Sequence, residues 1–250
     1  MELSAIVTGG GGDIGRAIGR RLAAAGYRVG LLDLAPAEPE RAAAAIPGAA
    51  GLVCDVTDPA AVEAALARFG VPDLLVNNAG IGRFAPLMDI DIADFRAVLK
   101  VNLEGAFIMA RACARGMAER GGGAIVNITS LNALTAGPGA GAYPAAKAGL
   151  ARLTEQMAQE WGPLGIRVNA VAPGFIDAGI STPFYRDPEV RALRAGAVPA
   201  RRLGTAEDVA EAVAFLASGA AAYVNGVQLP VDGGVAVSLL SQLPRSRDKG

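Results

Sequence analysis

Short, nearly uninterrupted apolar runs alternate with longer alanine-rich stretches along most of the chain, and this alternation restricts the fold more than any other feature. Strand-like runs occur at LSAIVT (3–8), YRVGLLD (27–33), AGLVCDV (50–56), DLLVNN (73–78), GAIVNITS (123–130), RVNAVAP (167–173) and GVQLPVDG (226–233). Helical patterns fill roughly 13–25, 58–69, 91–119, 144–162 and 206–218. A strand that is apolar on both faces needs cover on both faces, and a parallel sheet flanked by helices supplies it. The alternation therefore predicts an α/β chain with a doubly wound, seven-stranded parallel sheet. One stretch breaks the rhythm: 175–203 carries Pro183, Pro188, Pro199 and several arginines. It is long for a strand-to-helix connection, and such connections tend to be lids or binding loops.

The segment TGGGGDIGRAIG follows the first strand and opens the first helix, the context in which a glycine-rich turn binds a dinucleotide. Gly10, Gly12 and Gly15 satisfy G-x-G-x-x-G. Without side chains the backbone can approach a pyrophosphate held at the positive end of the helix. Asp33 ends the second strand, eighteen residues after Gly15. A carboxylate there can accept hydrogen bonds from both ribose hydroxyls of NAD, and its charge repels the 2′-phosphate of NADP. No arginine follows it in LAPAEPE, so NAD is the expected cofactor.

Composition removes several classes of function. The chain has no histidine, which excludes His-based triads, His metal sites and the commonest general base. Net charge is −1 with lysine and arginine dispersed, so neither nucleic acid nor an anionic membrane is expected as a partner. Cys54 and Cys113 are isolated and read as small core residues in a reducing compartment rather than a disulfide or metal pair. Met1 and Glu2 run directly into LSAIV, and no charge-free apolar run reaches about 18 residues, so a cytoplasmic location is expected.

The stretch AYPAAKAGL places a tyrosine and a lysine together, either as a catalytic pair or as one polar face at the start of a helix. Tyr143 and Lys147 are four residues apart, so on a helix they meet side by side. A cation beside a phenol favours the phenolate and lowers a pKa that starts near ~10.

Taken together, these marks resemble the short-chain dehydrogenase/reductase family over residues 3–234. The resemblance implies a single-domain Rossmann fold over 1–234, a lid at about 175–203 and a C-terminal tail at 235–250. The family pattern T-G-x-x-x-G-x-G lies on Thr8, Gly9 and Gly15, with Asp13 in place of its middle glycine. Asp tolerates unusual backbone angles, and its charge again points away from NADP. Ile14 belongs to the same turn. By resemblance Asp55 in CDVTD contacts the adenine amino group beside Val56, and NNAG at 77–80 closes the fourth strand. Asn77 then lines the adenosine side of the crevice, followed by Ala79 and Gly80. Pro173, Gly174 and Ile176 meet the nicotinamide, and Ala178 stands where a threonine is common.

The resemblance also implies a catalytic tetrad of Asn102, Ser130, Tyr143 and Lys147. Tyr143 is the expected acid/base, and Lys147 stabilises the phenolate and holds the nicotinamide ribose. Ser130 binds the substrate oxygen, and Asn102 anchors a water that links Lys147 to solvent. Asn132 and the arginines Arg186, Arg191 and Arg194 are candidates for substrate contact, against the alternative that the arginines form a solvated helix face. The expected activity is NAD-dependent hydride transfer to or from a secondary alcohol of a sugar or polyol. The rivals are a 3-oxoacyl-thioester reductase of the same fold and a non-catalytic NAD-binding regulator. A homodimer or homotetramer is expected, with 91–119 and 144–162 packed across a two-fold axis.

Overall fold

A computed structural model describes residues 3–239. Its seven strands are β1 (Ser4–Thr8), β2 (Arg28–Asp33), β3 (Ala50–Val53), β4 (Leu74–Asn77), β5 (Gly123–Ile128), β6 (Ile166–Pro173) and β7 (Gln228–Val231). They form one sheet in the order β3-β2-β1-β4-β5-β6-β7, with every neighbouring pair parallel. The helices are α1 (Asp13–Ala24), α2 (Pro39–Ala44), α3 (Pro59–Phe69), α4 (Ile92–Leu99), α5 (Ala106–Glu119), α6 (Tyr143–Trp161), α7 (Pro188–Ala197) and α8 (Ala206–Ala217). The doubly wound α/β arrangement predicted from the alternation is the one observed.

Side chains of successive strand residues point to opposite faces, so each strand feeds two cores. In β1, Ala5 and Val7 join the core under α1 and α8, whereas Ile6 joins the one under α3, α5 and α6. In β4, Leu74 and Val76 take the first side and Leu75 the second. Ile6, Leu75 and Ile125 are fully buried, each worth about 1.5–3 kcal/mol relative to exposure. Helix starts are written locally. Asp58 and Asp91 accept the Ala60 and Ala93 amides, and Thr205 and Asp208 make a reciprocal capping box at α8. Both cysteines are free and buried, and burial pushes their thiols up to about 11 for Cys54 and about 12 for Cys113.

The long helix expected at 91–119 is interrupted. Between α4 and α5, Lys100–Gly105 forms a π-helical turn, and Asn102 lies inside it. The Asn102 side chain donates to the Val98 carbonyl, in the place a helical backbone bond normally occupies, and to Ile81 from the neighbouring loop. Within 175–203 the structure contains a 3₁₀ segment, Gly179–Arg186, and α7. The two ends of this segment are laced together by Asp177 N–H to the Gly204 carbonyl and Gly204 N–H to the Phe175 carbonyl, 2.9 Å each. The tail beyond 239 lies outside the described residues. Among the described residues no helix is long and apolar enough to cross a membrane, and no acidic, Cys or His cluster could hold a metal ion.

Candidate active site

In this strand order the chain reverses direction between β1 and β4, and the loops beyond their carboxyl ends part to leave a crevice. The cleft there has a volume of about 700 Å³ and is bordered by the residues that follow β1 through β6.

One end is built from the glycine-rich turn. Gly9 adopts φ +65°, and a Cβ on Gly15 would sit 2.1 Å from the Gly9 carbonyl oxygen, so these two glycines let the turn fold back onto α1. Gly12 caps α1 with no side-chain hydrogen bond. The amides of Asp13, Ile14 and Gly15 belong to the first turn and have no intrahelical acceptor, which makes this an anion-binding helix start. Gly9, Gly12, Asp13, Ile14 and Gly15 all line the cleft. Asp13 needs no unusual backbone angle, because it is the first residue of an ordinary helix. Its carboxylate accepts the Gly179 amide at 3.1 Å and pairs with Arg16 at 2.7 Å. Those contacts, the Gly179 amide foremost, hold its pKa below the usual carboxylate value. Asp33 accepts the Gly11 amide at 2.9 Å and the Leu34 amide at 2.8 Å, and with Asp55 it also faces the cleft.

The middle of the cleft gathers Ala79, Gly80, Ser130, Tyr143 and Lys147. Tyr143 is the first residue of α6, and Ser130 caps the short 3₁₀ turn after β5, its hydroxyl accepting the Asn132 amide. Lys147, one turn along α6, donates to the Ile128 carbonyl at 2.9 Å, and its ammonium lies 5.6 Å from the Tyr143 ring centre. The electrostatics differ from the lowered phenol pKa anticipated for this pair. Burial pushes the Tyr143 phenol up to about 12, offset in part by the Ser130 hydroxyl, and burial alone lowers Lys147 to about 8. Burial governs both shifts, and neither member of the pair contributes to the other's. Val56, Pro173, Gly174, Ile176 and Asn132 are also on the cleft wall.

Two residues expected in the crevice are elsewhere. Asn77 does not line the cleft: it follows Leu75 to the face covered by α5, where its amide donates to Asn127 Oδ1 and the Ala106 carbonyl. The neighbouring Asn78 takes its place, donating to the Thr8 and Gly9 carbonyls and so joining the ends of β1 and β4. Asn102 lies behind the cleft wall, fully buried, with an Oδ1 that has no partner among the described residues. Gly80 separates it from Lys147. A Cβ on that glycine would be 2.5 Å from Asn102 Oδ1 and 3.4 Å from Lys147 Nζ. A buried acceptor left open next to an ammonium suits a small bridging donor such as water.

At the far end Phe84 packs edge-on against Tyr143 at 6.1 Å and against Phe184 at 5.6 Å. The bridge between Ala85 and Ala140 ties the Phe84 loop to the turn preceding Tyr143. Phe84 and Phe184 were not singled out in the sequence, since neither belongs to a motif and their pairing joins residues a hundred positions apart. Of the lid arginines, Arg191 pairs with Asp177 at 2.6 Å, Arg186 is exposed, and Arg194 faces the cleft.

Comparison with known proteins gives the same outline. Residues 11–236 match a family model described as enoyl-(acyl carrier protein) reductase. The chain is 38% identical over 241 residues to D-threitol dehydrogenase of Mycolicibacterium smegmatis, covering 93% of this chain and 92% of that protein. It is 40% identical over 240 residues to 3-oxoacyl-(acyl-carrier-protein) reductase of Escherichia coli, covering 92% and 96%. A gluconate 5-dehydrogenase from Burkholderia cenocepacia, crystallised with NADP and tartrate, superposes with a TM-score of 0.88 at 36% identity, covering 93% of this chain and 94% of that one.

Proposed function

The chain belongs to the short-chain dehydrogenase/reductase family, and from that premise we propose that it is an NAD-dependent dehydrogenase of a secondary alcohol on a sugar or polyol, with Tyr143 as acid/base. The observation that carries the reading is the convergence of Ser130, Tyr143 and Lys147 midway along a cleft that begins at an uncapped helix start. A chain without histidine has few groups able to exchange a proton with an alcohol, and a buried phenol beside a buried amine is one of them.

In oxidation, the Tyr143 phenolate takes the hydroxyl proton while Ser130 donates a hydrogen bond to the same oxygen. At neutral pH Lys147, lowered to about 8, remains mostly protonated. Its ammonium lies 5.6 Å from the Tyr143 ring centre, and we assign to it the stabilisation of the phenolate that burial opposes. Asn102 Oδ1 and Lys147 Nζ flank Gly80, where one bridging water would join them and help to hold the ammonium in place. The free amides of residues 13–15 suit the pyrophosphate, and the nicotinamide, when bound, supplies the hydride acceptor.

NAD is favoured over NADP by charge. Asp13, Asp33 and Asp55 face the cleft beside the glycine-rich turn, whereas its described lysine and arginine, Lys147 and Arg194, are in the centre and at the lid. A 2′-phosphate beside Asp33 would meet a carboxylate that accepts only the Gly11 and Leu34 amides and pairs with no cation among the described residues. The same balance weighs against the NADPH expected of a 3-oxoacyl-thioester reductase, despite the likeness to one. The test is absorbance at 340 nm over a panel of polyols, sugars and secondary alcohols, run with NAD⁺ and NADP⁺ in parallel. Turnover with NAD⁺ that disappears in Tyr143→Phe is expected. Turnover with NADP⁺ alone, or with acetoacetyl-CoA and NADPH alone, would overturn the reading.

A further inference from the structure

Arg194 has an unusual setting for a lid arginine. Its guanidinium lies over three aromatic rings, 5.1 Å from the centre of Phe175, 5.5 Å from Phe184 and 5.6 Å from Tyr185. It also faces the cleft and is half-buried. The nearby carboxylates are committed elsewhere: Asp177 to Arg191, Asp187 to the amides that begin α7, and Asp208 to Arg202. Among the described residues Arg194 makes neither an ion pair nor a side-chain hydrogen bond. A guanidinium has five N–H donors in one plane, and aromatic faces cannot satisfy them. The rings hold the cation in place and reduce its hydration, leaving its donors on the cleft lining without a protein acceptor among the described residues.

We propose that Arg194 is a specificity-determining residue that binds a carboxylate on the substrate, so that the alcohol oxidised is a hydroxy acid rather than a neutral polyol. The proposal rests on the oxidoreductase reading above and narrows its substrate class. A single planar cation matches a single planar anion, and the fork accepts a carboxylate through two parallel hydrogen bonds. The spacing is set by the aromatic wall. Tyr143 touches Phe84, Phe84 touches Phe184, and Phe184 touches Arg194. Two rings thus link Tyr143 to Arg194 along one wall of the cleft. The matching substrate carries its carboxylate on a spacer, away from the carbon that is oxidised. The spacer itself can be polyhydroxylated or alicyclic, since Asn132 and the two phenylalanines both line this end.

The test uses two matched pairs, D-gluconate against D-glucitol and 4-hydroxycyclohexanecarboxylate against its methyl ester. Each is assayed with NAD⁺ on the parent, Arg194→Gln and Arg194→Lys. In at least one pair the acid is expected to exceed its neutral partner about 10- to 100-fold in kcat/KM, the gain typical of a charge-assisted contact. Arg194→Gln removes most of that preference through KM, and Arg194→Lys, which keeps the charge without the fork, retains part of it. Saturation-transfer NMR with the same pairs, in the presence and absence of NAD⁺, provides a readout that needs no turnover. Neutral and acidic partners bound or turned over equally, or a preference untouched by Arg194→Gln, would overturn the proposal. Acid binding that depends on Arg194 in a protein that neither binds NAD⁺ nor turns over would instead remove the dehydrogenase reading and leave the anion site standing.

Discussion

Replacing Gly80 by alanine tests the geometry behind the cleft wall with one methyl group. The φ angle of Gly80 is not positive, so alanine meets no backbone penalty there and the effect is a matter of space. The new Cβ would lie 2.5 Å from Asn102 Oδ1, against an ordinary contact of 3.4 Å or more. Asn102 has to retreat by ~0.9 Å. It is poorly placed to do so, because its amide nitrogen is held by the Ile81 and Val98 carbonyls at 2.8 and 2.9 Å and the whole side chain is buried. Overpacking of this kind costs about 1–3 kcal/mol, and a weakened hydrogen bond falls within the same range. For a chain of this size each kcal/mol lowers Tm by about 2–4 °C, so a drop of about 2–12 °C is expected in a thermal melt. Activity should suffer more than stability. Filling the space between Asn102 and Lys147 displaces the bridging site, which is worth up to about 100-fold in kcat. The double variant Gly80→Ala/Asn102→Ala should be more stable than the two single penalties added together, by at least about 0.5 kcal/mol, because they share one contact. A Gly80→Ala protein with parental Tm and kcat would refute the argument that Gly80 is the wall between Asn102 and Lys147.

Thr8 Oγ1 accepts the Asn78 and Ala79 amides at 3.0 Å each, so Thr8→Val leaves two half-buried donors without their partner and should lower stability by ~1–2 kcal/mol in urea titrations, while Thr8→Ser should restore most of it. Burial lowers Lys147 from 10.5 to about 8, so between those values the unfolded chain holds a proton that the folded one has released, and stability rises with pH. From pH 7 to pH 10 the parent should therefore gain ~2 kcal/mol relative to Lys147→Met in denaturant titrations, and parallel profiles would contradict the assigned cause. Gly196 is exposed in α7 with nothing near its added Cβ and no positive φ, so Gly196→Ala should raise Tm by ~1–3 °C by calorimetry.

The sheet was legible in the sequence because seven short apolar runs leave few ways to be covered on both faces. Strand ends were less so. The run 50–56 pairs only as far as Val53, since Asp55 accepts the amide and hydroxyl of Thr57 and turns the chain away from the sheet. The helix α7 was hidden inside a segment read as a lid, although Asp187 followed by Pro188 is a cap and a first helical residue in sequence. The π-helical turn left no local signal, because it depends on Ile81 from another loop meeting Asn102. For the same reason the motif placed Asn77 and Asn78 correctly at the end of β4 but not their faces. Adjacent strand residues point opposite ways, and only the register with β5 decides which asparagine meets Asn127.

Asp13 shows how one departure from a motif can be absorbed by geometry rather than by loss of a site. A carboxylate at the first position of a helix that binds anions should compete with the ligand for the free amides. Here the side chain turns outward instead, with one oxygen on Arg16 and the other on the Gly179 amide. The neighbouring guanidinium offsets its charge, and the amides of residues 13–15 stay available. The same bond fastens the root of the 175–203 segment to the glycine-rich turn, across 166 residues of sequence. A glycine at position 13 could not make this contact. The substitution thus exchanges an empty position for a link between the anion-binding helix start and the segment that carries Arg194, the two ends of one cleft.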